Sequence, residues 1–445
     1  MKIEVFSAQK NKEIKPMHCA GCGPKQGGPY LSVNATEIFK EMGVPYCRLH
    51  DIEYPYGANQ FVDIHCVFPD FSADENDDRN YNFSATDKYL LGIHGANAKV
   101  FYRLGESIDH YDKKIYIEPP KDFHKWARIC EHVIRHYNEG WANGQYLGIT
   151  HWEIWNEPES RGMWRGTYEE FYELYAVTAK HLKNCFPKIK VGGYSCVGFY
   201  SATKARTDDW YYPWFDTIVP FMDGFFNYID GKNVPLDFFS WHCYAFTPEE
   251  VGDAARFIRK YLDDKGYTQT ESYLTEFNMY YQAKGTSLYQ ETPHAADVLA
   301  LMIEGQNSPL DMMFYYDLRY SSRFNNMFYV DKLDLKMKKL PAFYSMQFFN
   351  FLYELGEQIK IEYEQGKGLY VLGAAKNSQV GVAISSKDYD GEVEMRVNAD
   401  KVTLIVASPH LKVITKGIEV ENNLLHLKVE KERVYYLSFT EKTLC

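Results

Sequence analysis

From about residue 34 to 355, short apolar runs rich in β-branched and aromatic residues alternate with longer stretches of helical period. A strand buried on both faces reads as a continuous apolar run, so this alternation predicts repeated βα units around parallel strands. The strand candidates are Pro45 to His50, Lys99 to Leu104, Ile149 to Trp155, Ile189 to Gly193, Phe238 to Tyr244, Ser272 to Glu276 and Met312 to Tyr316. One more strand is expected before Cys22, which makes eight. Helix candidates between them, each with apolar residues three and four apart, include Asp122 to Tyr137, Thr167 to Phe186, Pro248 to Leu262 and His294 to Gln306. Eight such units close into a (β/α)₈ barrel of the α/β class. An open doubly wound sheet competes, but no G-x-G-x-x-G follows the first strand.

After Pro341 to Gly356, which reads as the last barrel helix, the pattern becomes one of alternating strands: Gly368 to Ala374, Gln379 to Ser385, Gly391 to Val397, Lys401 to Ala407, Leu424 to Val429 and Arg433 to Phe439. Turn signals at Asp390-Gly391 and Glu421-Asn422-Asn423 separate them, as in a β-sandwich. The expected division is a barrel over residues 8–355 and a sandwich over 356–445, joined by an N-terminal strand at 1–7. With 49 Lys+Arg against 60 Asp+Glu the net charge is −11, the wrong sign for neutralising phosphates, so nucleic acid and anionic membranes are poor partners. No apolar stretch is long enough to span a bilayer, and Met1 to Ser7 has no secretory pattern. A cytoplasmic protein is expected, or a periplasmic or secreted one if a leader has been cut away. The nine cysteines are scattered and read as free thiols.

The strongest chemical signal is His151-Trp152-Glu153-Ile154-Trp155-Asn156-Glu157-Pro158, a strand that ends in a carboxylate and is stopped by proline. Barrel active sites sit at the C-terminal strand ends, so Glu157 is expected in the mouth with Asn156 beside it. Three strands later, Ser272-Tyr273-Leu274-Thr275-Glu276-Phe277-Asn278 also runs into a carboxylate. Two carboxylates across one cleft suit glycosidic cleavage: one protonates the leaving oxygen, the other attacks or stabilises the oxocarbenium-like centre, and their separation sets the stereochemistry. Glu153 is a rival acid that depth in the barrel would make a buried, hydrogen-bonded group.

In these motifs the sequence resembles glycoside hydrolase family 39, in the clan of retaining barrel glycosidases that includes β-xylosidases and α-L-iduronidases. The resemblance implies Glu157 in Trp-Asn-Glu-Pro as general acid/base and Glu276 in Thr-Glu-Phe-Asn as nucleophile. It also implies sugar-binding roles for Asn156, for Arg48 and His50 in Cys47-Arg48-Leu49-His50, for His242 and Tyr244, and for Phe277 and Asn278. Arg103, near another strand end, is a further candidate. Relatives carry a Tyr-Trp pair on strand 8 where this chain has Tyr315 and Tyr316, and the residue after Pro158 is Glu159 rather than Asn or Asp. A smaller, more polar wall follows from the first change.

The expected function is a retaining, exo-acting glycosidase of an oligosaccharide or glycoside, β-xylosidase-like, working without cofactor or metal. An arabinose- or uronate-bearing glycan is an alternative substrate, and a uronate would call for basic groups such as Arg103, Arg319 or Arg323. A carbohydrate-binding barrel with little turnover is an alternative of another class. In the sandwich aromatic faces are few, Tyr370, Tyr389, Tyr435 and Tyr436 among them, which favours a structural brace. Cys19-Ala20-Gly21-Cys22 lacks a second ligand pair and reads as a barrel loop, and the acidic run Asp70 to Asp78 reads as a solvated surface.

Overall fold

The computed structural model describes residues 1–27, 33–52, 60–107, 114–203, 212–280, 292–319, 325, 327–408 and 412–442. After an N-terminal strand β1 (Lys2–Glu13), the parallel strands β2 (Cys19–Ala20), β3 (Tyr46–Arg48), β4 (Lys99–Leu104), β5 (His151–Ile154), β6 (Lys190–Cys196), β7 (Phe238–Ala245), β8 (Glu271–Met279) and β9 (Met312–Tyr315) follow. β9 pairs back onto β2 through Cys19↔Phe314, which closes the barrel and removes the open-sheet alternative. Inside, Cys19, Phe101, Phe238, Tyr273, Met312 and Phe314 pack into an apolar plug near the N-terminal ends of the strands. The lumen is therefore closed at the bottom, and the polar residues higher on the same strands face the mouth.

Among the described residues, eight α-helices of seven or more residues cover the barrel: α1 (Thr36–Met42), α2 (Ser84–Gly95), α3 (Phe123–Glu139), α4 (Tyr168–Cys185), α5 (Ile218–Asp230), α6 (Glu249–Asp264), α7 (Thr292–Asn307) and α8 (Pro341–Leu355). Local chemistry sets their ends. Thr167 and Glu170 form a reciprocal capping box at the start of α4. Asp122 caps α3, and Gly140, at φ 75°, ends it in the left-handed region. Among the described residues no helix is long and apolar enough to cross a membrane.

A hairpin, β10 (Phe328–Val330) with β11 (Met337–Lys339), precedes α8. Beyond α8 come β12 (Glu357–Tyr363), β13 (Leu369–Lys376), β14 (Gln379–Ser386), β15 (Gly391–Arg396), β16 (Lys401–Ser408), β17 (Lys412–Glu419), β18 (Leu424–Val429) and β19 (Arg433–Thr440). With β1 they form one continuous nine-stranded sheet, ordered β17-β16-β19-β14-β13-β12-β1-β15-β18. It folds over on itself, because Val393, Met395, Leu425 and Leu427 from one end share a core with Val380, Val382, Leu404 and Leu437 from the other. The two layers expected of a sandwich thus come from one bent sheet. Alternation along β13 buries both faces: Val371 joins that core, while Tyr370 and Leu372 join the barrel's outer core, which includes Phe348 and Leu352 of α8.

Candidate active site

The mouth of the barrel holds four non-glycine residues in the left-handed region: Asp51 (φ 47°), Trp155 (φ 71°), Glu157 (φ 46°) and Ser195 (φ 63°). This conformation is costly for residues with a Cβ and clusters where side chains must be aimed. The segment after β5 is tied down on both sides, Trp155 N–H donating to Leu104 O (2.7 Å) and Glu157 N–H to Ser195 O (3.0 Å). Glu157 is thereby turned into the cleft. A carboxylate oxygen of Glu157 comes within 4.8 Å of one of Glu276.

Arg48, fully buried at the end of β3, organises the floor of the site. Its Nε donates to Glu153 (2.7 Å), Nη1 to Glu276 Oε1 (3.0 Å), and Nη2 to both Asn156 Oδ1 and Ser195 Oγ (2.7 Å each). A planar guanidinium can serve four acceptors at fixed angles, which lysine cannot. From β7, Tyr244 donates its hydroxyl to Glu276 Oε2 (2.8 Å), and His242 sits between the carboxylates, with Nδ1 2.8 Å from Glu157 Oε1 and Nε2 3.6 Å from Glu276 Oε1. His50 Nε2 lies 3.7 Å from the same Glu276 oxygen. A bulge in the β7–β8 pairing between Trp241 and His242 brings His242 opposite Glu276.

The carboxylates differ in environment. Burial raises both, the charged form losing water. For Glu157 the Arg48 charge opposes this only in part and Asp51 adds to it, leaving the carboxyl pushed up to about 7. For Glu276 the upward push of burial is opposed by His242, Arg48 and the Tyr244 hydroxyl, while Glu157 adds to it. Glu276 thus has two strong donors that favour its ionised form, and Glu157 has one neutral ring. Burial holds His242 down to about 4, so the imidazole is uncharged at neutral pH. Glu159 is buried, with Oε1 accepting from Val197 N–H and Oε2 unpaired, and burial pushes it up to about 8.

Asn156, Arg48, His50, His242 and Tyr244 therefore gather around Glu157 and Glu276. Others of the expected set do not reach the cleft. Phe277 and Tyr315 belong to the apolar layer between strands and helices, where their rings meet at 5.7 Å and Tyr315 hydroxyl bonds His294. The physical reason is the local pleat, which turns Phe277 and Tyr315 away from the inward Glu276 and Tyr316. Asn278 spends its amide on Tyr316 O (2.7 Å) and Met279 N–H. Arg103 is buried and bonds Asp63 (2.6 Å) and Ser107 (2.8 Å), with Nε and Nη1 unpaired. Tyr316 does line the site, donating to Asp51 Oδ2 (2.7 Å). Arg319 grips Asp317 (2.6 Å), and Arg323 lies outside the described residues. Cys19 and Cys22 are buried free thiols, and Asp70, Asp74 and Asp77 close local turns.

The sequence reading missed Ser195, Thr275 and Asp51, whose positions follow from long-range pairing. It also missed a second aromatic surface. Beside Glu157 a cavity of about 280 Å³ is lined by Tyr200, Tyr212, Trp214, Phe215 and Tyr244, most of them from the segment after β6. Three groups could approach a metal: Glu157–His242–Glu276, Asp63–His65–Glu106 and Glu131–His181–Cys185. In the first two an arginine already neutralises a carboxylate, Arg48 on Glu276 and Arg103 on Asp63.

The family model of the glycosyl hydrolases of family 39 matches residues 1–432. The chain is 23% identical over 334 residues to a β-xylosidase of Geobacillus stearothermophilus, covering 66% of this chain and 61% of the relative. It is 24% identical over 355 residues to a β-xylosidase of Caldicellulosiruptor saccharolyticus, covering 71% and 61%. The match thus spans about three fifths of each relative's length. Among solved structures, a glucosidase from Croceicoccus marinus superposes with a TM-score of 0.76 at 20% identity, covering 99% of both chains. A monomeric β-xylosidase from Caulobacter crescentus gives 0.67 at 15% identity, covering 99% of this chain and 100% of its own.

Proposed function

The chain belongs to the glycosyl hydrolases of family 39, and we propose that it is a retaining, exo-acting glycosidase that removes a terminal neutral sugar, β-xylose first among them, by double displacement. The observation that carries this reading is the approach of Glu157 and Glu276 to within 4.8 Å, from separate strand ends and with unlike partners. An oxygen-to-oxygen approach this short fits the roughly 5 Å separation of retaining enzymes, whereas inverting ones hold the pair wider to admit a water.

In the first step Glu276, kept ionised by Arg48 and Tyr244, attacks the anomeric carbon. The bond to the leaving oxygen breaks as Glu157 gives that oxygen its proton. This yields a glycosyl ester on Glu276 and an ionised Glu157. In the second step Glu157 takes a proton from water, the resulting hydroxide equivalent attacks the anomeric carbon, and Glu276 leaves as carboxylate. A carboxyl held up to about 7 suits both duties, because it is protonated when the substrate arrives and can give the proton up.

The acid must face the leaving group, so the cavity that Glu157 lines with Tyr212 and Trp214 is the aglycone side. Its volume of about 280 Å³ suits one sugar ring of the leaving group. A neutral glycone is favoured because three arginines among the described residues already face carboxylates: Arg48 bonds Glu153 and Glu276, Arg319 bonds Asp317 and Arg103 bonds Asp63. Asp51 and the two glutamates would repel a uronate. The β-linked pentose follows from the likeness to the two β-xylosidases.

The test is a panel of nitrophenyl β-xyloside, β-glucoside, α-arabinoside and β-glucuronide with wild type, Glu157→Gln and Glu276→Gln. Proton NMR of the first product gives the stereochemistry. Release of the β-anomer from a β-glycoside is expected. First release of the α-anomer, or undiminished turnover by Glu276→Gln, refutes the mechanism.

A further inference from the structure

We propose that Ser195 is a positioning residue that fixes which ring nitrogen of His242 carries the proton, and through it which oxygen of Glu157 delivers the proton to the leaving group. This rests on the acid/base role assigned to Glu157 above. The argument is a count of donors and acceptors in a buried network. Ser195 Oγ lies 2.7 Å from Arg48 Nη2, 2.7 Å from His242 Nε2 and 3.0 Å from Thr275 Oγ1. On the other side of the ring, His242 Nδ1 lies 2.8 Å from Glu157 Oε1.

A neutral imidazole has one donor nitrogen and one acceptor. With the proton on Nδ1, His242 donates to Glu157 Oε1 and its Nε2 accepts the Ser195 hydroxyl. Ser195 in turn accepts from Arg48 and from Thr275, and every proton in the network has an acceptor. With the proton on Nε2, Ser195 must accept it and point its own hydrogen at Thr275. Among the described residues Ser195 is the only partner of Thr275 Oγ1, so the threonine hydrogen is then stranded. Nor can Nε2–H turn to Glu276 Oε1, which at 3.6 Å lies beyond hydrogen-bond reach. A buried hydroxyl without a partner disfavours that tautomer by roughly tenfold or more.

The consequence falls on Glu157. With Oε1 receiving Nδ1–H, the acidic proton resides on Oε2, which has no hydrogen-bond partner among the described residues while the side chain keeps about 20% of its surface exposed. That oxygen is left for the glycosidic oxygen. After transfer, the same Nδ1–H stabilises the carboxylate that must activate water. His242 stays neutral throughout, itself fully buried and facing Arg48, His50, Glu153, Glu157 and Glu276. The charged groups that act on Glu157 itself are Arg48, Asp51, Glu159 and Glu276. None of them supplies the direction of the proton, which comes from the serine.

The test uses enzyme labelled with ¹⁵N-histidine, the His242 signals being assigned with His242→Gln. Wild type should show a pyrrole-type Nδ1 and a pyridine-type Nε2. Ser195→Ala leaves Nε2 without a partner in either tautomer and so removes the preference for Nδ1–H; an Nε2–H form, whose pyridine-type Nδ1 accepts the Glu157 hydroxyl, should become populated beside it. The basic limb of kcat/KM should then rise by about one pH unit, because the protonated acid gains a hydrogen bond. Turnover of a poor leaving group should fall at least tenfold, and that of a nitrophenolate less. Ser195→Gly, which suits a left-handed backbone at φ 63°, is the second variant should alanine fail to fold. Thr275→Val is the control: Ser195 still donates to Nε2, so tautomer and limb should stay as in wild type. An Nε2–H tautomer in wild type, an unchanged tautomer and limb in Ser195→Ala, or a shift in Thr275→Val as large as in Ser195→Ala overturns the proposal. The tautomer is read without turnover, so it stands or falls separately from Glu157→Ala, whose undiminished activity would sink the glycosidase mechanism instead.

Discussion

Replacing Glu157 by glutamine should abolish acid catalysis and yet stabilise the fold in alkali. Burial raises this carboxyl from an ordinary 4.5 to about 7. A group whose folded value is raised contributes stability that is fully present below the unfolded value and is lost as pH rises through the folded one. The window is therefore about 4.5 to 7. The difference of 7 − 4.5 = 2.5 units, at about 1.36 kcal/mol each, is about 3.4 kcal/mol. The side chain keeps about 20% of its surface exposed, and solvent screening brings the figure nearer 2 kcal/mol. Glutamine is neutral at every pH and can still accept the His242 Nδ1–H. Equilibrium urea unfolding should thus find the two proteins alike near pH 4 and the variant more stable by about 2 kcal/mol near pH 9. Stability profiles that run parallel across this range would refute the raised carboxyl, and with it the account of how Glu157 arrives protonated.

Tyr244→Phe removes the hydroxyl that Glu276 Oε2 accepts at 2.8 Å. The Glu276 carboxyl should rise further, moving the acid limb of the rate profile up by about one unit and lowering kcat about tenfold; an unmoved limb would show that Tyr244 does not tune the nucleophile. Glu276→Ala should be inactive on every substrate, whereas Glu157→Ala should retain the first step with nitrophenyl glycosides and give a β-glycosyl azide when azide is added. Failure to trap that azide would count against Glu157 as acid/base. Trp214→Ala should raise KM for aryl or sugar aglycones at least several-fold and leave hydrolysis of a glycosyl fluoride near wild type, since the fluoride has no ring to lay against the wall. Equal effects on both would place Trp214 outside the aglycone side.

What could be read from the sequence follows the range of the interactions involved. The two glutamates stood out because each is announced by its own strand, the first by the proline that stops it and the second by a run of buried residues around it. The barrel was readable for the same reason: apolar strands and capped helices are local patterns. The Phe277 and Tyr315 expectations fail because their rings turn into the layer between strands and helices, and around Glu276 a register shift lets Thr275 and Glu276 both face the buried network, which simple alternation does not foretell. β12 and β17 escaped notice because their sequences, Glu357-Gln358-Ile359-Lys360 and Lys412-Val413-Ile414-Thr415, mix charge into the strand period, and their pairing comes from neighbours.

The network behind Glu157 could not have been read at all. Ser195 stands 147 residues from Arg48, 47 from His242 and 80 from Thr275. No spacing in the chain links them; only barrel closure does, by bringing β3, β6, β7 and β8 around one axis above the apolar plug. The sequence therefore names the groups that exchange protons with a substrate, while the direction of that exchange depends on hydroxyls that look like ordinary strand residues. A variant series confined to the recognisable motif residues would remove the acid or the nucleophile outright and report nothing on direction. Ser195, fully buried and with its hydroxyl bonded to Arg48, His242 and Thr275 rather than to either glutamate, is the position at which direction and acidity can be changed with both glutamates in place.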